Sequence, residues 1–174
     1  MELPSRSRLS WLGFAVILLH NLEEGVTAPK WIAAHAEDLR IRFGLERIPA
    51  ADAGAFYTSL TVLTLVILFW IAAASRAPER GFGVYSLTFL FALFFCNALV
   101  PHLAGAVLLG SYVPGVLTAV LLVIPFTILW SVRALRERWV SVTGFVVTVA
   151  AAAVFYAVAA GLLLGLSNAA SMRP

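Results

Sequence analysis

His20, Glu23 and Glu24 fall within the five residues "HNLEE", directly after the apolar run "WLGFAVILL". On an α-helix, residues four apart lie on nearly one face, so His20 and Glu24 are expected to point the same way, with Glu23 one step around. Imidazoles and carboxylates both suit zinc or ferrous iron. The spacing is that of the two histidines in the H-E-x-x-H zinc motif, with a carboxylate in the second place. The chemistry on offer is metal coordination by His20 and Glu24. Glu23 serves as a further ligand or as the general base that activates water.

A partner set occurs downstream in "FFCNALVPHLAG", where Asn97 and His102 interrupt another apolar stretch. His102 is the expected third metal ligand, and Asn97 is expected to orient a ligand or the substrate. Counted from the starts of their spans at about 1.5 Å per residue, the two sets overlap in the outer half of a bilayer. Pro101 has no amide to offer the carbonyl four residues earlier, that of Asn97, so a kink is expected there. Residues five apart do not share a face on a straight helix, and a kink is one way in which Asn97 and His102 could be brought closer together.

The cost of these residues separates function from accident. An ionisable side chain near a helix centre costs about 2.5–3.5 kcal/mol to insert, and such residues usually face the protein interior and mark function. A divalent ion offsets that cost by neutralising carboxylates and fixing imidazole tautomers. The plainer readings are a wet end to a short first span for "HNLEE" and an interhelical hydrogen bond for Asn97 and His102. Tyr57, Thr61 and Thr64 form a helical row that reads as packing or as hydroxyls lining the same cavity. Tyr112 is placed to reach over its mouth. His35 reads as part of a solvated face and Cys96 as a small core residue. No G-x-S-x-G stretch or phosphate-cradling glycine loop occurs.

The elements that must position these groups are membrane spans. The chain has 174 residues, 61% hydrophobic and 12% charged, with a mean hydropathy of +0.95; soluble domains carry about a quarter charged residues. The expected fold class is all-α: one transmembrane domain over residues 1–174, a bundle of five helices at about 9–26, 54–74, 82–109, 114–130 and 140–166. Residues 27–53 mix Trp31, Leu39, Ile41, Phe43 and Leu45 with charges of both signs, and are expected to form one or two short interfacial helices or a solvated loop. The stretch after Arg6 and Arg8 is not read as a cleaved signal, since His-Asn-Leu-Glu-Glu rather than a small-residue site follows the apolar run. One cysteine excludes an intrachain disulfide.

Arg6 and Arg8, Arg76 and Arg80, and Arg133, Arg136 and Arg138 flank the spans on one side, whereas the opposite loop "GSYVPG" is uncharged. The positive-inside rule then sets a cytoplasmic N-terminus and an outside C-terminus in the cell (inner) membrane. The same short clusters, with a net charge of only +3, exclude a nucleic-acid-binding face. The expected partners are the lipid bilayer and a small lipid-like substrate.

"HNLEE", "NALVPH" and "YVPGVLTAV" together resemble the HXXEE-domain family of small bacterial membrane proteins, from about Trp11 to Trp130. The resemblance implies an integral membrane protein and supplies no reaction. The function expected from the residues is that of a membrane-embedded enzyme dependent on zinc or iron, hydrolysing a lipid-like or amphipathic substrate; with iron, oxidation is equally open. The alternatives are a metal-free acid–base isomerase or cyclase of a lipid, a small transporter or proton relay using the same carboxylates, and a scaffold.

Overall fold

A computed structural model describes residues 5–43 and 53–171. The described residues are helical throughout, without a strand. Five helices follow in order: α1 (Arg6–Phe43), α2 (Ala53–Ala74), α3 (Phe82–Leu109), α4 (Val116–Arg136) and α5 (Val142–Ser171). The last four are each long and apolar enough to cross a bilayer. Many of their large apolar side chains face outward, among them Phe69, Leu121, Val147 and Leu162. That surface fits hydrocarbon, not water.

α1 does not end at Val26 as expected. It runs on through Pro29 to Phe43 as one continuous helix. Beyond the proline come strong helix formers, "IAAHAEDLR", supported by a Glu37–Arg40 pair at 2.5–3.0 Å on an exposed face. Leu39 is buried while Ile41 is exposed. The expected short interfacial helices are thus an extension of the first helix, as far as it is described. Leu45 and the rest of that segment to residue 52 lie outside the described residues.

α3 is the central helix, with α2, α4 and α5 packed around it and α1 against α2 and α4. Phe91 anchors the core, its ring 5.0 Å from that of Phe126 and 4.7 Å from that of Trp130. Gly13 lets α1 approach these rings; a Cβ there would stand 2.6 Å from both Phe91 and Phe126. On α1 the buried stripe is Leu9, Gly13, Ile17 and His20. His20 and Glu24 therefore continue the core-facing row of a helix whose apolar half is already committed to the bundle.

One end of the bundle gathers the arginine-bearing segments. The Arg6 guanidinium donates to the Ala77 carbonyl, and the Arg80 amide donates to that of Trp139 at 2.8 Å. Arg133 is held by Glu137 at 2.6 Å, with its guanidinium 5.2 Å from the centre of the Trp139 ring. The opposite end is closed by the loop from Gly110 to Gly115, where the Trp31 indole donates to the Tyr112 carbonyl at 2.7 Å.

Candidate metal centre

His20 and Glu24 from α1 meet His102 from α3. One ligand atom from each lies within 4.8 Å of the other two. Glu24 Oε1 stands 3.3 Å from His102 Nε2 and 4.0 Å from His20 Nε2. The imidazoles are edge to face with centroids 4.7 Å apart. They are 1% and 4% exposed, so any charge placed here is shielded from solvent.

The hydrogen bonds set the tautomers. His102 Nδ1 faces the Pro114 carbonyl at 2.6 Å; a carbonyl only accepts, so Nδ1 carries the proton and Nε2 presents a lone pair. His20 Nδ1 lies 2.8 Å from Thr118 Oγ1, whose own proton goes to Glu23 Oε2 at 2.5 Å. The hydroxyl oxygen must accept, so His20 Nδ1 is the donor and its Nε2 is again bare. That Nε2 is buried with no hydrogen-bond partner among the described residues. Two imidazole lone pairs and a carboxylate oxygen thus face one another.

Such a set suits a cation. Tetrahedral ligands about 2.1 Å from zinc stand about 3.4 Å apart, close to the His102–Glu24 separation and slightly tighter than the His20–Glu24 one. Each imidazole hands its second nitrogen to a fixed acceptor, which is how metal-bound histidines are usually oriented. Among the described residues the set offers three donors, one fewer than a tetrahedral shell takes.

Glu23 stands apart from this group. Its carboxylate accepts from the Thr118 amide at 2.8 Å, the Leu117 amide at 3.3 Å, the Thr118 hydroxyl and the Tyr112 hydroxyl at 2.7 Å. Leu117 and Thr118 open α4, where amides lack intrahelical partners and the helix dipole favours a negative charge. Glu23 therefore caps α4 from another helix. The expectation that it is a ligand or general base meets a carboxylate already engaged by four donors.

Asn97 donates to His102 Nε2 at 3.0 Å. The helix here is a π-helical stretch, Ala98–Ala104, containing Pro101. A π turn pairs each carbonyl with the amide five residues on, so the missing proline amide is passed over and residues five apart come onto one face. The expected local distortion is present, as a widened turn. α4 carries a second such stretch, Ala119–Val123, ahead of Pro125.

Four residues join the site without having stood out in the sequence. Thr118 links His20 to Glu23. Gly115 (φ +83°) lies against both imidazoles: a Cβ there would stand 2.6 Å from His102 Cε1 and 3.0 Å from His20 Cε1. Asn21 is buried and donates to Thr64 Oγ1 at 2.8 Å. Tyr156 of α5 donates to Asn97 Oδ1 at 3.4 Å. Position within "YVPGVLTAV" was the available signal for Gly115 and Thr118; Tyr156, alone in an apolar helix, had none.

Tyr112 reaches over the cluster's roof to Glu23 and Thr27. Tyr57, Thr61 and Thr64 instead line a groove between α1 and α2, shared with Asn21 and Gly25. His35 stacks on Trp31, with ring centroids 4.4 Å apart, away from the cluster. Cys96 is a free, partly buried thiol. Glu24 opens on a cavity of about 370 Å³ between α2, α3 and α5, which Asn97 and Tyr156 also line.

Bundle and cluster together define a helical membrane protein with a buried His/Glu/His centre. The chain belongs to the family described as "Protein of unknown function with HXXEE motif", which residues 11–130 match. It is also similar to "Uncharacterized protein YrkK" of Bacillus subtilis (strain 168), 26% identical over 109 residues. That match covers 63% of this chain and 63% of the relative, so it spans less than two thirds of the relative's length. No solved structure matches.

Proposed function

We propose that this protein is a membrane-embedded metal-dependent enzyme in which His20, Glu24 and His102 hold zinc or iron and a lipid-like, amphipathic substrate is hydrolysed. The observation that carries this reading is the bare, buried and unpartnered His20 Nε2, facing Glu24 beside a His102 Nε2 whose lone pair accepts from Asn97. A divalent ion there supplies Lewis-acid polarisation of a carbonyl and lowers the pKa of water. Thr118 and the Pro114 carbonyl hold the imidazoles in their ligating tautomers. Asn97 gives up its bond to His102 Nε2 when that lone pair is used, and its amide then donates to a substrate oxygen. Glu23 ties α1 to α4 and keeps Thr118 in place.

Metal analysis of purified protein tests this directly. Wild type is expected to carry about one zinc or iron per chain, as a single three-ligand site implies, and His20→Ala and His102→Ala to carry none. A wild type that stays metal-free after purification without chelators overturns the assignment. One contact favours a second reading, a metal-free acid–base lipid isomerase or cyclase: a protonated Glu24 would donate to His102 Nε2 across the 3.3 Å that separates them. Metal-free protein that still converts a lipid selects it.

We infer that the N-terminus lies on the cytoplasmic side of the cell (inner) membrane and the C-terminus outside. The support is the gathering of Arg6 and Arg80 with the loop bearing Arg136 and Arg138 at one end of the bundle, opposite the uncharged Gly110–Gly115 loop. Reporter fusions at the two termini test the orientation; activity of a periplasm-dependent reporter at the N-terminus reverses it.

A further inference from the structure

The cluster is closed on three sides and open on one. Gly115 lies against both imidazoles, Thr118 and the Glu23–Tyr112 pair cover them from α4 and the end loop, and the Trp31 indole fastens that loop to α1. Both histidines are buried, whereas the Glu24 side chain is 23% exposed, and it lines the cavity between α2 and α5. Those two helices pack against α3 and leave a gap between them. The open side lies at the apolar outer surface of the bundle.

The cavity is polar at one end only. Glu24, Asn97 and the Tyr156 hydroxyl stand at the end shared with the cluster. The walls beyond are Leu63, Val66, Leu93, Phe94, Phe155 and Ala159. Trp70 lies at the far end, its indole N–H already given to Ser86 at 3.1 Å, so it presents only carbon to the cavity. Along α2 from Leu63 to Trp70, and along α3 from Leu90 to Asn97, the walls run for about 10 Å of helix. At the roughly 30 Å³ that a water occupies in the liquid, the space of about 370 Å³ holds about a dozen groups of that size, room for one short chain.

We infer that the substrate of this site is a single-chain ester with a small head, entering laterally between α2 and α5, and that the fatty acid released with the alcohol when water cleaves the ester bond occupies the same groove. The head lies against Glu24, Asn97 and Tyr156, and the chain occupies the apolar groove toward Trp70. The inference rests on the reading of the cluster as a reaction centre and adds the route and the substrate class. Tyr156 becomes a substrate-contacting residue, although it lies outside the family match.

The test is photocrosslinking of the full chain in phospholipid nanodiscs with palmitic acid bearing a mid-chain diazirine. Adducts are expected on the less exposed walls, at Trp70, Leu93 and Phe94, and to be displaced by excess palmitate. Ala159→Trp and Val66→Trp fill the groove and are expected to reduce labelling about tenfold each, the factor that about 1.4 kcal/mol of lost binding represents. Either variant suffices if the other does not fold, and a cooperative thermal unfolding transition in detergent reports folding. Adducts spread over outward residues such as Leu121 and Val147, or undiminished in the filled variants, overturn the inference. His102→Ala separates the two readings, because it removes a proposed ligand and leaves the groove walls intact. Groove labelling in a wild type without metal defeats the metal centre and keeps the chain site; diffuse labelling of a metal-loaded wild type does the reverse.

Discussion

Glu23 on α1 and Thr118 in the first turn of α4 are joined twice, through the Thr118 amide at 2.8 Å and its hydroxyl at 2.5 Å. The same hydroxyl oxygen accepts from His20. One threonine thus couples the cap of a helix to the tautomer of a proposed metal ligand.

Thr118→Ala is expected to cost about 1–3 kcal/mol of stability, because the buried His20 Nδ1 loses its partner. Zinc affinity should fall about 10–100-fold, the usual effect of losing a group that orients a ligand. Thr118→Ser should recover most of both. Thermal unfolding in detergent and chelator-competition titration read the two quantities. Unchanged zinc affinity in Thr118→Ala would sever the coupling.

Two glycines in the end loop share a left-handed backbone and differ in surroundings. Gly110 (φ +62°) has open space around its missing Cβ, whereas Gly115 (φ +83°) has both imidazoles there. Gly110→Ala should cost about 1 kcal/mol of backbone strain. Gly115→Ala adds overpacking worth about 1–3 kcal/mol and should displace the histidines. Equal unfolding temperatures for the two variants would mean that the rings are not confined as described.

Pro101→Ala restores an amide and permits an ordinary α-helical turn. His102 would then turn about the helix axis away from His20 and Glu24, and zinc affinity is expected to drop about 10–100-fold with no loss of thermal stability. Wild-type affinity in this variant would show that the π turn persists without the proline.

Zinc should raise the unfolding temperature of the wild type. Free metal at a hundred times its dissociation constant stabilises by about 2.7 kcal/mol. His20→Ala and Glu24→Gln are expected to show no such rise. A shift of equal size in all three proteins would place the zinc elsewhere.

Much of the architecture was legible along the chain. Long apolar runs had no alternative to helices, because a bilayer leaves backbone groups only their own partners. The i, i+4 spacing placed His20 and Glu24 on one face, and Pro101 marked the distortion between Asn97 and His102. α1 runs past the expected end at about Val26 and carries Pro29 inside it, although a proline within a helix removes a hydrogen bond. Charged residues after it were read as a change of element when they mark only a change of surroundings.

Sequence by itself determined the helices, their apolar faces and the small set of polar residues that those faces had to enclose, since periodicity and transfer cost are local properties. Only the tertiary structure decided what Glu23 does. Glu23 and Glu24 are neighbours of one chemical type, and a turn of about 100° between them sends one to cap α4 and the other into the cluster. Tertiary structure alone also put Tyr156 beside Asn97, because a hydroxyl on an otherwise apolar helix has no periodicity to announce which neighbour it will face.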